Sequence, residues 1–165
     1  MAQTKLGDRI VNTNGELPGI GSIAPAFTLV GNDLREVPSS QFAGKKVVLN
    51  IFPSIDTSTC AMSVRQFNQR AASLTNTVVL CIARDLPFAM RRFCGAEGID
   101  KVITLSDFRD IGFASSYGVL MVDGGMKGLL ARCVVVIGPD GLVRYTEMVP
   151  TIGQEPNYDA ALKVI

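Results

Sequence analysis

The sequence predicts an α/β fold with a central mixed sheet flanked by helices. Three short segments are almost entirely apolar and rich in valine and isoleucine, at 47–52, 77–83 and 133–137. Continuous apolar runs of this length are typical of central strands that are covered on both faces. Segments with helical spacing lie between them, and strands that alternate with helices are the pattern of α/β proteins. The chain of 165 residues is 47% hydrophobic, so we expect one domain over residues 1–165.

Two hairpins are predicted before the first apolar run. In the first, residues 12–15 (Asn-Thr-Asn-Gly) join a strand at 5–11 to the run after Glu16, because Asn-Gly is a strong hairpin turn signal. In the second, an extended piece at 23–30 turns at 31–33 (Gly-Asn-Asp) and returns as another short strand. The N-terminal hairpin is therefore expected to be an addition to the central sheet.

The remaining elements follow from helical spacing and from turn residues. The turn at 138–142 (Gly-Pro-Asp-Gly-Leu) joins the last two strands, which are therefore predicted to be antiparallel. The segment 121–130 contains three glycines without the spacing of a phosphate-binding loop, and we interpret it as a mobile surface loop. The predicted helices cover 60–74, 87–93, 108–117 and a last segment from Pro156 or Asn157 to Ile165.

Charge and hydropathy exclude several classes of protein. The formal net charge is +1, so composition indicates neither a nucleic-acid partner nor an anionic membrane surface. No apolar run approaches the roughly 20 residues that a bilayer span requires. Residues 1–10 contain no apolar core of a secretory signal, so we expect a cytoplasmic protein.

The chain contains no histidine and four cysteines. The absence of histidine excludes Ser-His-Asp and Cys-His catalysis and every His-ligated metal site. No two of the cysteines form a C-x-x-C pair, which disfavours a zinc ribbon and a thioredoxin-type redox motif. An activated cysteine in this chain must therefore rely on a helix terminus, on hydrogen bonds and on arginine or lysine. The four are Cys60, Cys81, Cys94 and Cys133.

The stretch from Pro53 to Cys60 is predicted to be the turn between the first central strand and a long helix. Proline ends the strand because it cannot donate to the sheet. With Thr57 as N-cap, Cys60 is the third helical residue, where unpaired N–H groups and the helix dipole favour thiolate over thiol. The same position also lies on an apolar stripe, on which Cys60 could be an inert buried cysteine. The stripe consists of Cys60, Val64, Phe67, Ala71 and Leu74.

The other cysteines fall into two groups. Cys94 follows the helix that opens with Pro87 and precedes Gly95, a residue that often ends a helix. It is therefore expected at a fraying helix end, either as a thiol that moves or as an ordinary buried cysteine. Cys81 and Cys133 lie in strand-like apolar runs, and we interpret both as core residues.

Arg132 stands at the start of the third apolar run, where a buried charge is costly unless it is paired. Because successive strand residues face opposite sides, Cys133 should point away from whatever Arg132 faces. Arg132 could hold a thiolate and orient an oxygen substrate, or it could extend to water from the strand end. After the second run, Arg84 and Asp85 are interpreted as a simple loop pair.

Several motifs together resemble those of one family. The pattern Pro53-x-x-x-Thr57-x-x-Cys60 is similar to the active-site motif of the peroxiredoxins. Further strings resemble the bacterial thiol peroxidase subgroup, whose members are atypical two-cysteine peroxiredoxins. They are Pro53-Ser54-Ile55-Asp56-Thr57, Cys60-Ala61, Ser63-Val64-Arg65, Arg92-Phe93-Cys94-Gly95-Ala96-Glu97-Gly98 and Leu130-Ala131-Arg132.

This resemblance implies a role for each matched residue. Cys60 would be the peroxidatic cysteine and would become a sulfenic acid, and Pro53 would shield that intermediate. Thr57 would hydrogen-bond the sulfur and the peroxide, and Arg132 would stabilise the thiolate and polarise the substrate. Cys94 would be the resolving cysteine, which forms an intramolecular disulfide with Cys60. Asp56 opposes a thiolate at Cys60, so its carboxylate is expected to point away or to pair.

The resemblance also implies a thioredoxin-like fold with an added N-terminal hairpin, an antioxidant peroxidase that reduces hydrogen peroxide and alkyl hydroperoxides, reduction by thioredoxin and a homodimer. No cofactor or metal is implied. Two alternatives are a one-cysteine peroxidase or general disulfide reductase with a structural Cys94, and a redox sensor or binding module that uses Cys60 as a switch. The missing C-x-x-C motif weighs against the reductase, and turnover with a thioredoxin system would exclude the sensor.

Overall fold

The computed structural model describes all residues, 1–165, and contains a seven-stranded mixed sheet and a separate two-stranded hairpin. The strands are β1 (Gln3–Leu6), β2 (Arg9–Asn12), β3 (Thr28–Val30), β4 (Glu36–Pro38), β5 (Lys46–Ile51), β6 (Thr77–Ala83), β7 (Ile103–Ser106), β8 (Cys133–Ile137) and β9 (Val143–Met148). The helices are α1 (Ser58–Ala71), α2 (Pro87–Glu97), α3 (Phe113–Ser116) and α4 (Tyr158–Lys163), with a 3₁₀ turn at Ser39–Phe42. No helix has the length and apolar character needed to cross a membrane.

The three apolar runs form the centre of the large sheet, as predicted. Its strand order is β4-β3-β7-β6-β5-β8-β9. Strand β5 pairs in parallel with β6 and antiparallel with β8, while β8 and β9 form the predicted antiparallel pair. Alternate residues of β5 enter two different cores: Val48 packs on the side of α1 and α2, and Leu49 packs on the side of α3. Both faces are therefore covered, which explains why these strands lack polar alternation.

The N-terminal hairpin is present, but its predicted turn was wrong. The paired strands are β1 and β2, and they connect through Gly7-Asp8, where Gly7 has a φ of 62°. A positive φ at the turn suits glycine. Asn12 ends the hairpin instead of opening its turn, because its backbone N–H and side-chain amide both donate to the carboxylate of Asp123. The second predicted hairpin is β3 and β4.

Two helix predictions were also wrong in their extent. Helix α2 continues through Gly95 to Glu97, and the left-handed residue after it is Gly98, with a φ of 65°. Cys94 therefore lies within the last turns of α2 rather than after it. The helix predicted at 108–117 is a single turn, α3, because Gly112 has a φ of 104° and interrupts the helical backbone. Strand β7, which precedes this region, was not predicted.

The glycine-containing segment 121–130 is anchored at both ends, so the prediction of a mobile surface loop was too simple. Met121 and Leu130 are fully buried. In between, Asp123 binds Asn12, and the carbonyl of Gly128 accepts a hydrogen bond from Arg84. The segment therefore connects the N-terminal hairpin to the end of β6.

Candidate active site

Helix α1 begins as predicted. Thr57 is the N-cap, and its hydroxyl oxygen accepts a hydrogen bond of 3.3 Å from the backbone N–H of Cys60. The same hydroxyl donates to the carbonyl of Ser54 at 3.2 Å. These two contacts place Cys60 as the third residue of the helix, with its side chain fully buried. Pro53 is also buried and lies between the end of β5 and this turn.

The side chain of Arg132 meets the sulfur of Cys60. Arg132 immediately precedes β8 and is only 1% exposed. Its Nη2 donates to the Sγ of Cys60 at 3.2 Å, and its Nε donates to the carbonyl of Ile152 at 2.7 Å. The remaining nitrogen, Nη1, is buried and has no hydrogen-bond partner. The structure thus holds a guanidinium charge against the sulfur and leaves one donor free beside it.

Cys94 lies on the same side of the sheet as Cys60. It is half-buried and packs against the hydrophobic cluster that contains Cys60. Both residues are free thiols in the structure. The Sγ of Cys94 is 3.8 Å from the hydroxyl of Thr104 on β7. Burial raises the pKa of the Cys94 thiol, and the hydrogen bond with Thr104 partly opposes that rise.

The chain is similar to known proteins over nearly its whole length. Residues 20–162 match the Redoxin family. Across 165 residues the chain is 59% identical to a thiol peroxidase of Mycobacterium tuberculosis, and the match covers 100% of this chain and 99% of that protein. The chain belongs to the thiol peroxidases. The predictions of a peroxiredoxin-type peroxidase and of a thioredoxin-like fold are therefore confirmed.

Solved structures show the same fold. A peroxiredoxin-like protein from Aquifex aeolicus superposes with a TM-score of 0.93 at 36% identity, over 99% of this chain and 96% of that one. A thiol peroxidase from Chromobacterium violaceum superposes with a TM-score of 0.90 at 21% identity, over 98% and 94%. At the lower identity the likeness supports the fold alone.

One residue of this thiol peroxidase site was missed by the sequence interpretation. Asp85 does not pair with Arg84; its carboxylate accepts hydrogen bonds from the hydroxyl of Ser54 at 2.7 Å and from the N–H of Ile55 at 2.8 Å. Its own carbonyl accepts from Ser106. Asp85 therefore clamps the turn that carries Cys60. The available signal was its position directly after β6, because the carboxyl ends of neighbouring parallel strands meet at one edge of a sheet.

Asp56 and the other two cysteines are arranged as the sequence suggested. The carboxylate of Asp56 pairs with Arg92 at 3.2 Å on the surface. Cys81 and Cys133 are fully buried, and burial raises the pKa of Cys81 to about 12. Burial also raises the pKa of Cys133, which lies in the core on the opposite face of the sheet from Cys60. Neither thiol is poised to ionise near neutral pH.

Proposed function

We propose that Cys60 is the peroxidatic cysteine of a two-cysteine thiol peroxidase that reduces hydrogen peroxide and organic hydroperoxides in antioxidant defence. The observation that carries this proposal is the contact of 3.2 Å between the Arg132 guanidinium and the Cys60 sulfur. A positive group at this distance stabilises the thiolate, which is the nucleophilic form. The start of α1 adds the positive end of the helix dipole.

In the first step the Cys60 thiolate attacks one oxygen of the peroxide, and the O–O bond breaks. The sulfur loses two electrons and becomes a sulfenic acid, while the other oxygen leaves as water or an alcohol after it takes up a proton. The unpartnered Nη1 of Arg132 is the donor that supports a role in binding the peroxide. Thr57 can donate to the peroxide only if its hydroxyl turns away from Ser54. Pro53 would limit access of further peroxide to the sulfenic acid.

In the second step the Cys94 thiol attacks the sulfenic sulfur. A Cys60–Cys94 disulfide forms, and the hydroxyl leaves as water with the proton of the thiol. Cys60 lies in the first turn of α1 and Cys94 lies near the end of α2, and local unwinding of these helix ends would bring the two sulfurs together. Thioredoxin would then return two electrons and two protons. We infer a cytoplasmic location, because cytosolic thiols are kept reduced.

We further propose that residues 1–165 form one thioredoxin-like domain and that the enzyme is a homodimer. At the start of α2, Leu86 and Phe88 are 52% and 61% exposed. Exposed apolar side chains of this size are common at subunit interfaces. Light scattering of the purified protein would test the dimer. The two steps up to the disulfide use the peroxide and side chains of this chain, and they involve no cofactor.

The test is to add one equivalent of cumene hydroperoxide to the reduced protein and to measure the number of free thiols and the mass of the chain. We expect loss of two thiols and a mass decrease of about 2 Da, with the disulfide mapped to Cys60 and Cys94 by peptide digestion. Cys133→Ser is the matched control and should behave as wild type, since Cys133 is buried in the core on the opposite face of the sheet from Cys60. A stable sulfenic acid at Cys60 with Cys94 still free would instead indicate a one-cysteine peroxidase. No reaction would exclude the proposed function.

A further inference from the structure

Arg132 is held at two points by one short segment, Val149–Ile152, which we name the bracing segment. The backbone N–H of Val149 donates to the carbonyl of Arg132 at 3.0 Å. The carbonyl of Ile152 accepts from the Nε of Arg132 at 2.7 Å. The segment therefore fixes both the backbone and the guanidinium plane of the residue that contacts Cys60.

The N-terminal hairpin holds the same segment from its other side. The hydroxyl of Thr4 donates to the carbonyl of Val149 at 2.8 Å. The N–H of Lys5 donates to the carbonyl of Pro150 at 2.9 Å, and the carbonyl of Lys5 accepts from the N–H of Ile152 at 2.8 Å. Thr4 is only 2% exposed, so its hydrogen bond is protected from water. A continuous set of hydrogen bonds thus connects β1 to Arg132.

The bracing segment limits movement of the Arg132 guanidinium. The Nη1 of Arg132 is buried without a partner, and an unsatisfied buried donor favours any movement that would bring it to an acceptor. The Nε contact with Ile152 opposes that movement only if Ile152 itself is held. A displacement of a catalytic group by about 1 Å can lower a rate by about a hundredfold.

We propose that the N-terminal hairpin is a positioning element of the active site, and that Thr4 is a positioning residue that acts through the bracing segment on Arg132. The proposal rests on the proposed function, since it takes Cys60 and Arg132 as the reacting thiol and its partner. It assigns a role in the reaction to strands that lie outside the central sheet.

The test compares Thr4→Val with Thr4→Ser and with Thr13→Val. Thr4→Val keeps the shape and removes the donor, and Thr4→Ser restores the donor. Thr13 is the matched control, because it is a fully buried threonine of the same region whose hydroxyl binds the carbonyl of Gly15 at 2.8 Å, away from the bracing segment. For each protein we would measure the rate of Cys60 oxidation by peroxide, the pH profile of Cys60 alkylation by iodoacetamide, thermal unfolding, and hydrogen exchange of the Ile152 amide.

For Thr4→Val we expect faster exchange at Ile152, an alkylation profile displaced to higher pH, and peroxide oxidation slowed roughly threefold to tenfold, as for one lost buried hydrogen bond. Thr4→Ser should recover the wild-type values. Thr13→Val should lose similar thermal stability without moving the alkylation profile. If Thr4→Val and Thr13→Val have equal alkylation profiles while the wild-type protein still reacts with peroxide at Cys60, this inference is overturned and the proposed function stands. A wild-type protein that does not react with peroxide would overturn the proposed function instead.

Discussion

At the scale of single residues, the site is governed by a buried charge. The only side chain that accepts a hydrogen bond from Arg132 is Cys60. A guanidinium that is removed from water requires a negative partner, because an unpaired buried charge is costly. In the proposed function a thiolate at Cys60 would supply that partner, so that the arginine and the sulfur would stabilise each other's charge.

The first prediction concerns the forked geometry of Arg132. Arg132→Lys keeps the charge but cannot contact the Cys60 sulfur, the Ile152 carbonyl and a peroxide together. We expect the rate of Cys60 oxidation to fall about a hundredfold, as for the loss of one preorganised donor. Stopped-flow measurement of thiol loss would check this. Arg144→Lys is the control, because Arg144 pairs with Asp140 on the surface; a rate for Arg132→Lys within twofold of this control would contradict the assignment.

The second prediction concerns the clamp at Asp85. Asp85→Ala leaves the Ser54 hydroxyl and the Ile55 N–H without their acceptor, which should cost about 1–3 kcal/mol in the free energy of unfolding and slow peroxide oxidation. Asp85→Asn retains one carbonyl oxygen and should recover part of both losses. Urea unfolding and thiol kinetics measure them. Asp56→Asn removes an exposed ion pair in the same turn, and it should change stability little; equal effects of Asp56→Asn and Asp85→Ala would exclude the clamp.

At the scale of elements, the proposed reaction uses two helix ends that are held differently. Thr57 caps the first turn of α1, and Asp85 clamps the turn that precedes it. The last turns of α2 carry Cys94, whose pKa is raised by burial. Arg65 of α1 pairs with Glu97 of α2 at 2.7 Å, so the two helices are linked on the surface close to the end of α2 that would unwind in the proposed mechanism.

The third prediction follows from the raised pKa of Cys94. An acid with a raised pKa stays protonated to higher pH, so disulfide formation after Cys60 oxidation should accelerate as pH rises above neutrality. Thr104→Val removes the hydrogen bond that lowers this pKa, and the acceleration should then move to still higher pH. Quenched-flow trapping of the sulfenic acid between pH 6 and 9 would measure the step. Thr104→Ser should match wild type, and a step independent of pH would contradict the prediction.

The fourth prediction compares two nearby glycines, one with a right-handed helical backbone conformation and one with a left-handed conformation. Gly95 lies inside α2 and Gly98 follows it with a φ of 65°. A Cβ at either position meets no atom within 4 Å, so only conformation decides the effect. Gly95→Ala should stabilise the protein by about 0.5–1 kcal/mol, and Gly98→Ala should destabilise it by about 1 kcal/mol. Thermal unfolding gives both values; the reverse order would place the end of the helix at Gly95.

At the scale of the whole molecule, the sheet separates two cores, and only one of them contains Cys60. The core on the side of α1 and α2 contains Cys60, and Cys94 packs against it. The other core contains Cys133, Leu49 and the hairpin residue Val11. We therefore expect a substitution on the face away from Cys60, and outside the hairpin and the bracing segment, to change stability without changing reactivity.

The fifth prediction tests this separation with Leu49→Ala. Leu49 is fully buried on the face away from Cys60, and its truncation should cost about 2–5 kcal/mol in the free energy of unfolding. The rate of Cys60 oxidation in the folded protein should stay within twofold of wild type. Chemical unfolding and thiol kinetics at 25 °C measure the two quantities. A large loss of reactivity without unfolding would show that the two cores are coupled.

The sequence by itself determined the features that depend on neighbouring residues. The apolar runs of β5, β6 and β8 follow from burial on both faces, and the position of Cys60 in α1 follows from Thr57 as N-cap. The absence of histidine left arginine as a partner for a thiolate. These features could be predicted because strand burial and helix capping depend on residues only a few positions apart.

The tertiary structure alone decided the features that join distant parts of the chain. Arg132 and Cys60 are 72 positions apart, and Asp85 lies 30 positions from Ile55. The true turn of the N-terminal hairpin depends on Asp123, which binds Asn12 across 111 positions. Similarly, α2 passes through Gly95 although local preference favours an end there. In each case the outcome depends on contacts that exist only after the sheet has assembled, so the neighbouring residues alone did not settle it.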